Sequence, residues 1–193
     1  MTCIVGITDG KNVFVGGDSA GVENLNLTVR ADDKVFIRTD ESGVEWAFGF
    51  TTSFRMGQLI QYDLVLPQIE DVDRGNLHQF MVSKFIPALR TCLKIGGWQA
   101  KEKHREEGGT FIVGVLGELF VVGDDYQVGK PKMPYAAVGS GTNVALGALY
   151  ALSGSEQTPE QTPEQKITVA LEAAEAFNAG VRGPFKIVST KAE

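Results

Sequence analysis

The chain begins MTCIVGITDGKNVFVGGDSAGVENLNLTVRADDKVF (residues 1–36), and this stretch decides the fold that the rest of the sequence must fit. Two apolar runs rich in β-branched residues, residues 3–8 and 13–15, flank the turn signal Asp9-Gly10. That pattern is typical of a β-hairpin. A hairpin folded about Gly10 pairs residues whose numbers add to 20, and we therefore expect Thr2 to lie opposite Asp18.

Thr2 carries the groups of a compact catalytic unit. If Met1 is removed, Thr2 has both a hydroxyl nucleophile and a free α-amine that can act as its base. Lys34 lies 16 residues beyond Asp18, beside another apolar run, and a further return of the chain places its ammonium next to the Asp18 carboxylate. A neighbouring ammonium lowers the pKa of an amine and keeps more of it neutral. Taken one at a time, the three side chains also fit simpler roles: a common Met-Thr start, a turn aspartate and a surface lysine.

Four short motifs occur in a fixed order along the chain. They are Met-Thr-Cys-Ile-Val-Gly-Ile at 1–7, Gly-Gly-Asp-Ser-Ala at 16–20, Asp-Lys-Val at 33–35 and Gly-Ser-Gly at 139–141. Together they resemble the proteasome β-subunits and the bacterial two-component protease HslV, which are N-terminal-nucleophile hydrolases. The resemblance implies an α+β fold over residues 1–193 as one domain: a four-layer αββα sandwich of two antiparallel sheets flanked by helices.

The resemblance also implies a set of site residues. It gives catalytic roles to Thr2, Asp18, Lys34, Ser140 and Gly49, and substrate-binding roles to Ser19, Ala20, Gly21 and Ala47. In the family, the serine relays the proton of the threonine amine, and a glycine N–H at the position of Gly49 stabilises the tetrahedral oxyanion. From the residues alone, Gly139-Ser140-Gly141 fits equally well a strand-to-helix turn that needs glycine.

One departure from the family concerns the support of the nucleophile. The family's β-subunits usually carry an acidic residue and a serine, three apart, near the end of the last long helix. The comparable stretch here is Asn178-Ala179-Gly180-Val181. We therefore expect Thr2 to be supported differently in this chain.

The order of predicted elements agrees with a layered fold. Strands come first, then two helices, strands, two helices and a final strand, and such alternation by blocks favours antiparallel sheets covered by helices. A long helix is predicted from Asn76, and Pro87 is expected to kink or split it. Residues 100–109 are predicted to be a charged loop. Residues 153–165 are predicted to be a mobile loop, within which Thr162 caps the next helix.

Composition excludes several classes of function. A net charge of −6 and the absence of Lys/Arg blocks argue against nucleic-acid binding, and no apolar run has the ~20 residues that span a bilayer. Cys3 and Cys92 are expected to be reduced thiols, and no metal or cofactor site is expected. The chain has no Gly-x-x-x-x-Gly-Lys-[Ser/Thr] loop, so any ATP-dependent unfoldase must be a separate protein. We expect a cytoplasmic location.

These observations leave three hypotheses for function. In the first, the chain is a threonine endopeptidase that cleaves unfolded polypeptides through an acyl ester on Thr2, inside a homo-oligomeric ring. In the second, it is a catalytically silent shell or interaction subunit that retains Met1. In the third, it is a small-amide hydrolase of the wider N-terminal-nucleophile group.

Overall fold

The first two apolar runs form the predicted antiparallel hairpin in the computed structural model, which describes residues 1–102, 105–153 and 161–191. Strand β1 (Cys3–Thr8) pairs with β2 (Val13–Gly17). The predicted register is wrong by one residue, because paired residue numbers add to 21, as in Ile4 opposite Gly17. Cys3, and not Thr2, therefore lies opposite Asp18, whose N–H donates to the Cys3 carbonyl over 3.3 Å.

The turn explains the shift in register. Thr8 pairs with Val13, so the loop contains four residues, 9–12. The Asp9 carboxylate holds this loop by accepting hydrogen bonds from the backbone N–H groups of Lys11 and Asn12, at 2.8 and 2.7 Å. Such local capping by aspartate stabilises a longer turn than the Asp-Gly signal alone indicates.

The remaining strands complete two sheets and two small hairpins. Their bounds are β3 (Ala20–Glu23), β4 (Asn26–Val29), β5 (Val35–Thr39), β6 (Glu45–Phe50), β7 (Ala100–Glu102), β8 (Arg105–Glu107), β9 (Phe111–Val115), β10 (Glu118–Val122), β11 (Val128–Gly129), β12 (Tyr135–Gly139) and β13 (Lys186–Ser189). The first sheet has the order β12-β1-β2-β13, and the second has the order β11-β10-β9-β6-β5. Strands β3 and β4 pair with each other, as do β7 and β8. The latter hairpin corrects the prediction of a loop at 100–109.

The helices follow the predicted order. They are α1 (Phe54–Tyr62), α2 (Asp71–Arg74), α3 (Leu77–Phe80), α4 (Ile86–Ile95), α5 (Thr142–Ser153) and α6 (Pro163–Phe177). A π-helical segment, Met81–Phe85, joins α3 to α4 without a break. Proline lacks the N–H that an α-helix requires, and the wider π-helical turn directly before Pro87 accommodates this loss. The helix therefore continues through Pro87 and is not split there.

The two sheets pack face to face with helices on both outer sides. Small and branched side chains, such as Ile4, Val15 and Ile112, fill the space between the sheets. Helices α5 and α6 cover the first sheet, and the aromatic cluster around Trp46 and Phe85 joins the second sheet to α1 and α4. This arrangement confirms the α+β four-layer αββα sandwich.

The predicted mobile loop 153–165 overlaps two helices. Ser153 is the last residue of α5, and α6 starts at Pro163. Thr162 caps α6 as expected, because its hydroxyl accepts a hydrogen bond from the Gln165 N–H while the Gln165 side chain accepts one from the Thr162 N–H. Residues 154–160 lie outside the described part of the chain. Across the described residues, no helix has the length and apolar character needed to cross a membrane.

Candidate active site

Four of the predicted catalytic residues come together because β1 is a central strand. Thr2 directly precedes β1, Asp18 directly follows the neighbouring strand β2, and Ser140 directly follows β12 on the other side. Lys34 directly precedes β5 and reaches the site from the second sheet. The site therefore lies at one end of the sandwich, where the two sheets meet.

Lys34 connects Thr2 to Asp18 in a buried cluster. Its Nζ atom lies 3.0 Å from Thr2 Oγ1 and 2.9 Å from Asp18 Oδ1, and both charged side chains are almost fully buried. The Asp18 carboxylate also accepts hydrogen bonds from the backbone N–H groups of Cys3 and Ala20, each at 2.9 Å. A buried ion pair is tolerated when its members are paired and their remaining hydrogen bonds are satisfied. The cluster fixes Lys34 against the Thr2 hydroxyl.

Burial lowers the pKa of Lys34, and the Asp18 carboxylate opposes this effect by stabilising the ammonium. Burial also raises the pKa of the neighbouring Cys3 thiol to about 12, and the negative charge of Asp18 contributes to this increase. Cys3 is thus a neutral thiol at physiological pH. Since the thiolate is the nucleophilic form of cysteine, the Cys3 thiol is a poor nucleophile.

We expect Cys3 to resist alkylation in the folded protein. At pH 8 its thiol is protonated, because this pH is well below its raised pKa, and its side chain is fully buried. Iodoacetamide treatment followed by peptide mass spectrometry should find Cys3 unmodified in the native protein and alkylated after denaturation. Cys92 is half-buried and serves as the internal comparison. Rapid alkylation of native Cys3 would contradict this prediction.

Ser140 contacts the backbone nitrogen of Thr2. The Thr2 nitrogen donates to Ser140 Oγ over 3.2 Å, and the Ser140 hydroxyl lies 3.2 Å from Asn178 Oδ1. Asn178 returns a hydrogen bond from Nδ2 to the Ser140 carbonyl at 2.8 Å, and its Oδ1 accepts the Gly180 N–H at 2.9 Å. Asn178 therefore links Ser140, beside Thr2, to the backbone of Gly180. Its location just after α6 was the sequence signal that could have identified it.

The glycine before Ser140 is required by the close approach of Thr2. Gly139 has a φ of 101°, and a Cβ added to it would lie 2.3 Å from the Thr2 carbonyl oxygen. That oxygen also accepts the Gly141 N–H at 3.2 Å. The Gly-Ser-Gly motif is thus a strand-to-helix turn and a support for the Thr2 backbone at the same time.

The structure does not support Gly49 as the donor to an oxyanion. The Thr51 N–H donates to the Thr110 carbonyl, so the alternation of the ladder directs the Gly49 N–H to its partner Ile112. A Cβ at Gly49 would meet Ile4 at 2.5 Å, which places this residue in the core between the sheets. The Gly49 N–H is therefore already used inside the second sheet.

A backbone N–H three residues further along is better placed for this role. Thr52 has a φ of 69° and lines the same pocket as Thr2. Within the described residues its N–H has no hydrogen-bond partner, while its hydroxyl accepts the Thr110 N–H at 3.1 Å. A positive φ at a residue other than glycine is uncommon and is frequent at functional sites. Nothing in the local sequence indicated it.

The four predicted substrate-binding residues have different surroundings. Ala20 lines the pocket beside Thr2. Gly21 lies under Arg30, because a Cβ there would come within 2.9 Å of the arginine Cδ. The Ser19 hydroxyl donates to the Pro184 carbonyl at 2.6 Å, and Ala47 is fully buried between the sheets. Ala47 is therefore a core residue that cannot border a pocket, since its side chain faces the other sheet.

Met1 occupies the mouth of the site. Its carbonyl accepts a hydrogen bond from Thr2 Oγ1 at 2.5 Å, and its side chain lies against Gly180. With Met1 in place, the Thr2 nitrogen belongs to a peptide bond and has no basic lone pair. The free α-amine exists only after Met1 is removed. Among the described residues, no group of His, Cys, Asp and Glu side chains could hold a metal ion.

Comparisons with known proteins bear on the fold. Neither protein-family models nor curated protein sequences match the chain. Among solved structures, BPH from Thiobacillus denitrificans is 16% identical with a TM-score of 0.75, covering 99% of this chain and 98% of that chain. The same protein in complex with epoxomicin is 15% identical with a TM-score of 0.73, and covers 99% of both chains.

Two further structures extend the likeness. Eukaryotic HslV from Trypanosoma brucei is 16% identical with a TM-score of 0.65, covering 97% of this chain and 98% of that chain. The ancestral β-subunit Anbu from Yersinia bercovieri is 12% identical with a TM-score of 0.69, covering 98% of this chain and 81% of that chain. The chain therefore has the proteasome-like fold of HslV and Anbu over nearly its whole length.

Proposed function

We propose that this chain, which has the proteasome-like fold, is a threonine endopeptidase subunit whose nucleophile is Thr2 after removal of Met1. The observation that carries the proposal is the buried contact of Lys34 Nζ with both Thr2 Oγ1 and Asp18 Oδ1, at 3.0 and 2.9 Å. A lysine ammonium held in this way favours the neutral form of a nearby amine and the developing alkoxide of the hydroxyl.

The reaction follows from these positions. The α-amine of processed Thr2 takes the proton of its own hydroxyl, and Oγ1 attacks the substrate carbonyl carbon. The oxyanion of the tetrahedral intermediate accepts the Thr52 N–H, and the protonated amine then gives its proton to the leaving peptide nitrogen. Water, deprotonated by the same amine, attacks the carbonyl carbon of the resulting Thr2 ester. The bond to Oγ1 then breaks, Oγ1 takes the proton back from the amine, and the acid is released. Ser140 orients the amine through its hydroxyl.

We further propose a homo-oligomeric ring in the cytoplasm that receives unfolded polypeptide, with any ATP-dependent unfoldase supplied as a separate protein. Exposed apolar side chains on several elements support self-association. Those on the β3–β4 hairpin and near α1 and α4 are Leu25, Val29, Tyr62, Val65 and Ile95. Confinement within a ring would restrict the substrates to extended chains.

Intact mass tests the nucleophile directly. Because BPH was solved with epoxomicin, the purified protein is incubated with epoxomicin and with an epoxyketone that carries alanine at the residue nearest the warhead. We expect the mass to show that Met1 has been removed and that each chain carries one adduct. The adduct should be absent in Thr2→Ala. A retained Met1 with no adduct, in cells with abundant methionine aminopeptidase, would contradict the peptidase proposal.

The silent shell subunit is the second candidate. Asn178 favours it, because a neutral amide supports the site where the family usually has an acid. A shell subunit would keep Met1 and form the same assembly without adduct formation. A small-amide hydrolase would instead form the adduct but turn over small amides faster than fluorogenic peptides.

We expect Asn178→Ala to lower kcat by roughly 10- to 100-fold, because it removes the contacts that orient Ser140 toward the Thr2 nitrogen. Asn178→Asp adds a negative charge near that nitrogen, so the pKa of the amine rises. The pH profile of kcat/KM then shifts to higher pH. Asn143→Ala, an exposed change on α5, is the matched control and should leave both quantities unchanged. An unchanged pH profile in Asn178→Asp would contradict this role for Asn178.

A further inference from the structure

The pocket beside Thr2 is small and has aromatic walls. With Met1 among its lining residues, its volume is about 70 Å³. Phe50 and Phe54 line it together with Ala20, Val22 and Lys34. An apolar cavity of about 150 Å³ binds benzene, and the pocket here has about half that volume, so a benzyl side chain fits it poorly.

The two aromatic rings that line the pocket also pack against other residues. The Phe50 ring packs on Gly57, where an added Cβ would lie 2.2 Å from a ring carbon, and it meets the Phe54 ring edge-on at 5.6 Å. The Arg30 guanidinium lies 3.8 Å from the centre of the Phe54 ring, and Asp32 binds that guanidinium through two hydrogen bonds of 2.7 and 2.6 Å. Neither ring can turn away from the pocket without disturbing these contacts.

The charges near the pocket select against charged ligands. Lys34 at the pocket would repel a basic side chain. An acidic side chain gains little, because Lys34 and Arg30 already have carboxylate partners in Asp18 and Asp32. Removal of Met1 opens the mouth of the pocket but leaves the walls of Phe50 and Phe54 in place.

We propose that this pocket accepts only small, uncharged side chains at P1, the substrate residue whose carbonyl Thr2 attacks. This inference rests on the proposed function and names its substrate class: polypeptides cleaved after residues such as alanine, serine and valine. Phe50 and Phe54 are the residues that set the limit of size.

The test uses the processed, assembled protein and a set of fluorogenic peptides that differ only at P1, with alanine, valine, leucine, phenylalanine, aspartate or arginine. We expect kcat/KM for alanine and valine to exceed that for phenylalanine by roughly 10- to 100-fold. Phe54→Ala should reduce this ratio at least about tenfold. Phe50→Val is the second variant and is measured alongside Phe54→Ala, so that the test still stands if one of them fails to fold. Phe36→Leu changes a neighbour of Phe50 outside the pocket and should leave the ratio unchanged.

Labelling separates the possible failures. Rates of Thr2 modification are measured with epoxyketones that carry alanine or leucine at P1. If Thr2 is modified but leucine or phenylalanine is preferred, or if both pocket variants keep the wild-type ratio, the size limit is wrong and the peptidase proposal stands. If neither epoxyketone modifies Thr2 and no peptide is cleaved, the peptidase proposal fails and this inference fails with it.

Discussion

Replacing Lys34 with methionine is expected to lower the rate of Thr2 modification and peptide cleavage by about 10³-fold or more. The change keeps most of the side-chain length but removes the ammonium that contacts Thr2 Oγ1 and Asp18. Without that charge the α-amine is protonated over a wider pH range, and the developing alkoxide loses its nearest cation. The rate of epoxyketone adduct formation, followed by intact mass, measures the effect.

The same variant should also be less stable. It leaves Asp18 charged and buried without its partner, which costs about 3–5 kcal/mol of unfolding free energy. Combining it with Asp18→Asn should recover only part of that stability in denaturant titrations, while activity stays lost. The charge is gone, but the asparagine NH2 cannot accept a backbone N–H as the second carboxylate oxygen does. Lys186→Met, which removes an exposed ion pair with Asp33, is the control and should change stability by less than about 0.5 kcal/mol. A Lys34→Met protein with wild-type labelling would contradict the role of the lysine.

A chain with residues retained before Thr2 is expected to be inactive, again by about 10³-fold or more. The cause is the loss of the free amine, since the Thr2 nitrogen then lies in a peptide bond. We would express the chain behind a cleavable fusion whose removal leaves Thr2 as the first residue. One preparation, assayed before and after fusion cleavage, then provides both states of the same protein.

The matched control for this experiment is the same fusion with Thr2→Ala, which should be inactive before and after cleavage. A second fusion that leaves Met1 in front of Thr2 after cleavage should also stay inactive, which separates the effect of the amine from relief of steric blockage by the fusion. Equal activity of the Met1-retaining and Thr2-first chains would show that the α-amine is not the base.

The order of predicted elements indicated antiparallel sheets covered by helices, and the resemblance to the proteasome β-subunits and HslV implied the four-layer sandwich and the role of Ser140. The grouping of Thr2, Asp18 and Lys34 followed from patterns that tolerate small errors. The two apolar runs and the Asp9-Gly10 turn signal sufficed for the first hairpin, although its register is shifted by one. Asp18 still reaches the Thr2 region because its carboxylate accepts the Cys3 N–H. The spacing along the chain was thus enough to predict that Thr2, Asp18 and Lys34 lie close together, although the predicted register of the hairpin was wrong by one residue.

Other features of the site require that a residue position be known without error. The sequence could not predict these features. Successive residues of a strand point their N–H groups and side chains in opposite directions. An error of one to three residues therefore put Gly49 and Ala47 at the site, although both belong to the core between the sheets. The Thr52 N–H, which has no hydrogen-bond partner in the described part of the chain, depends on a positive φ that the local sequence does not indicate.

The central position of β1 has a consequence for motion. The first residues of most domains fray, but here the Cys3 N–H donates to a buried carboxylate, and neighbouring strands pair with both edges of β1. The amides of this strand should therefore exchange hydrogen with solvent as slowly as those of the interior. Thr2, which precedes Cys3, therefore loses its conformational entropy when the chain folds. Substrate binding need not order Thr2 again.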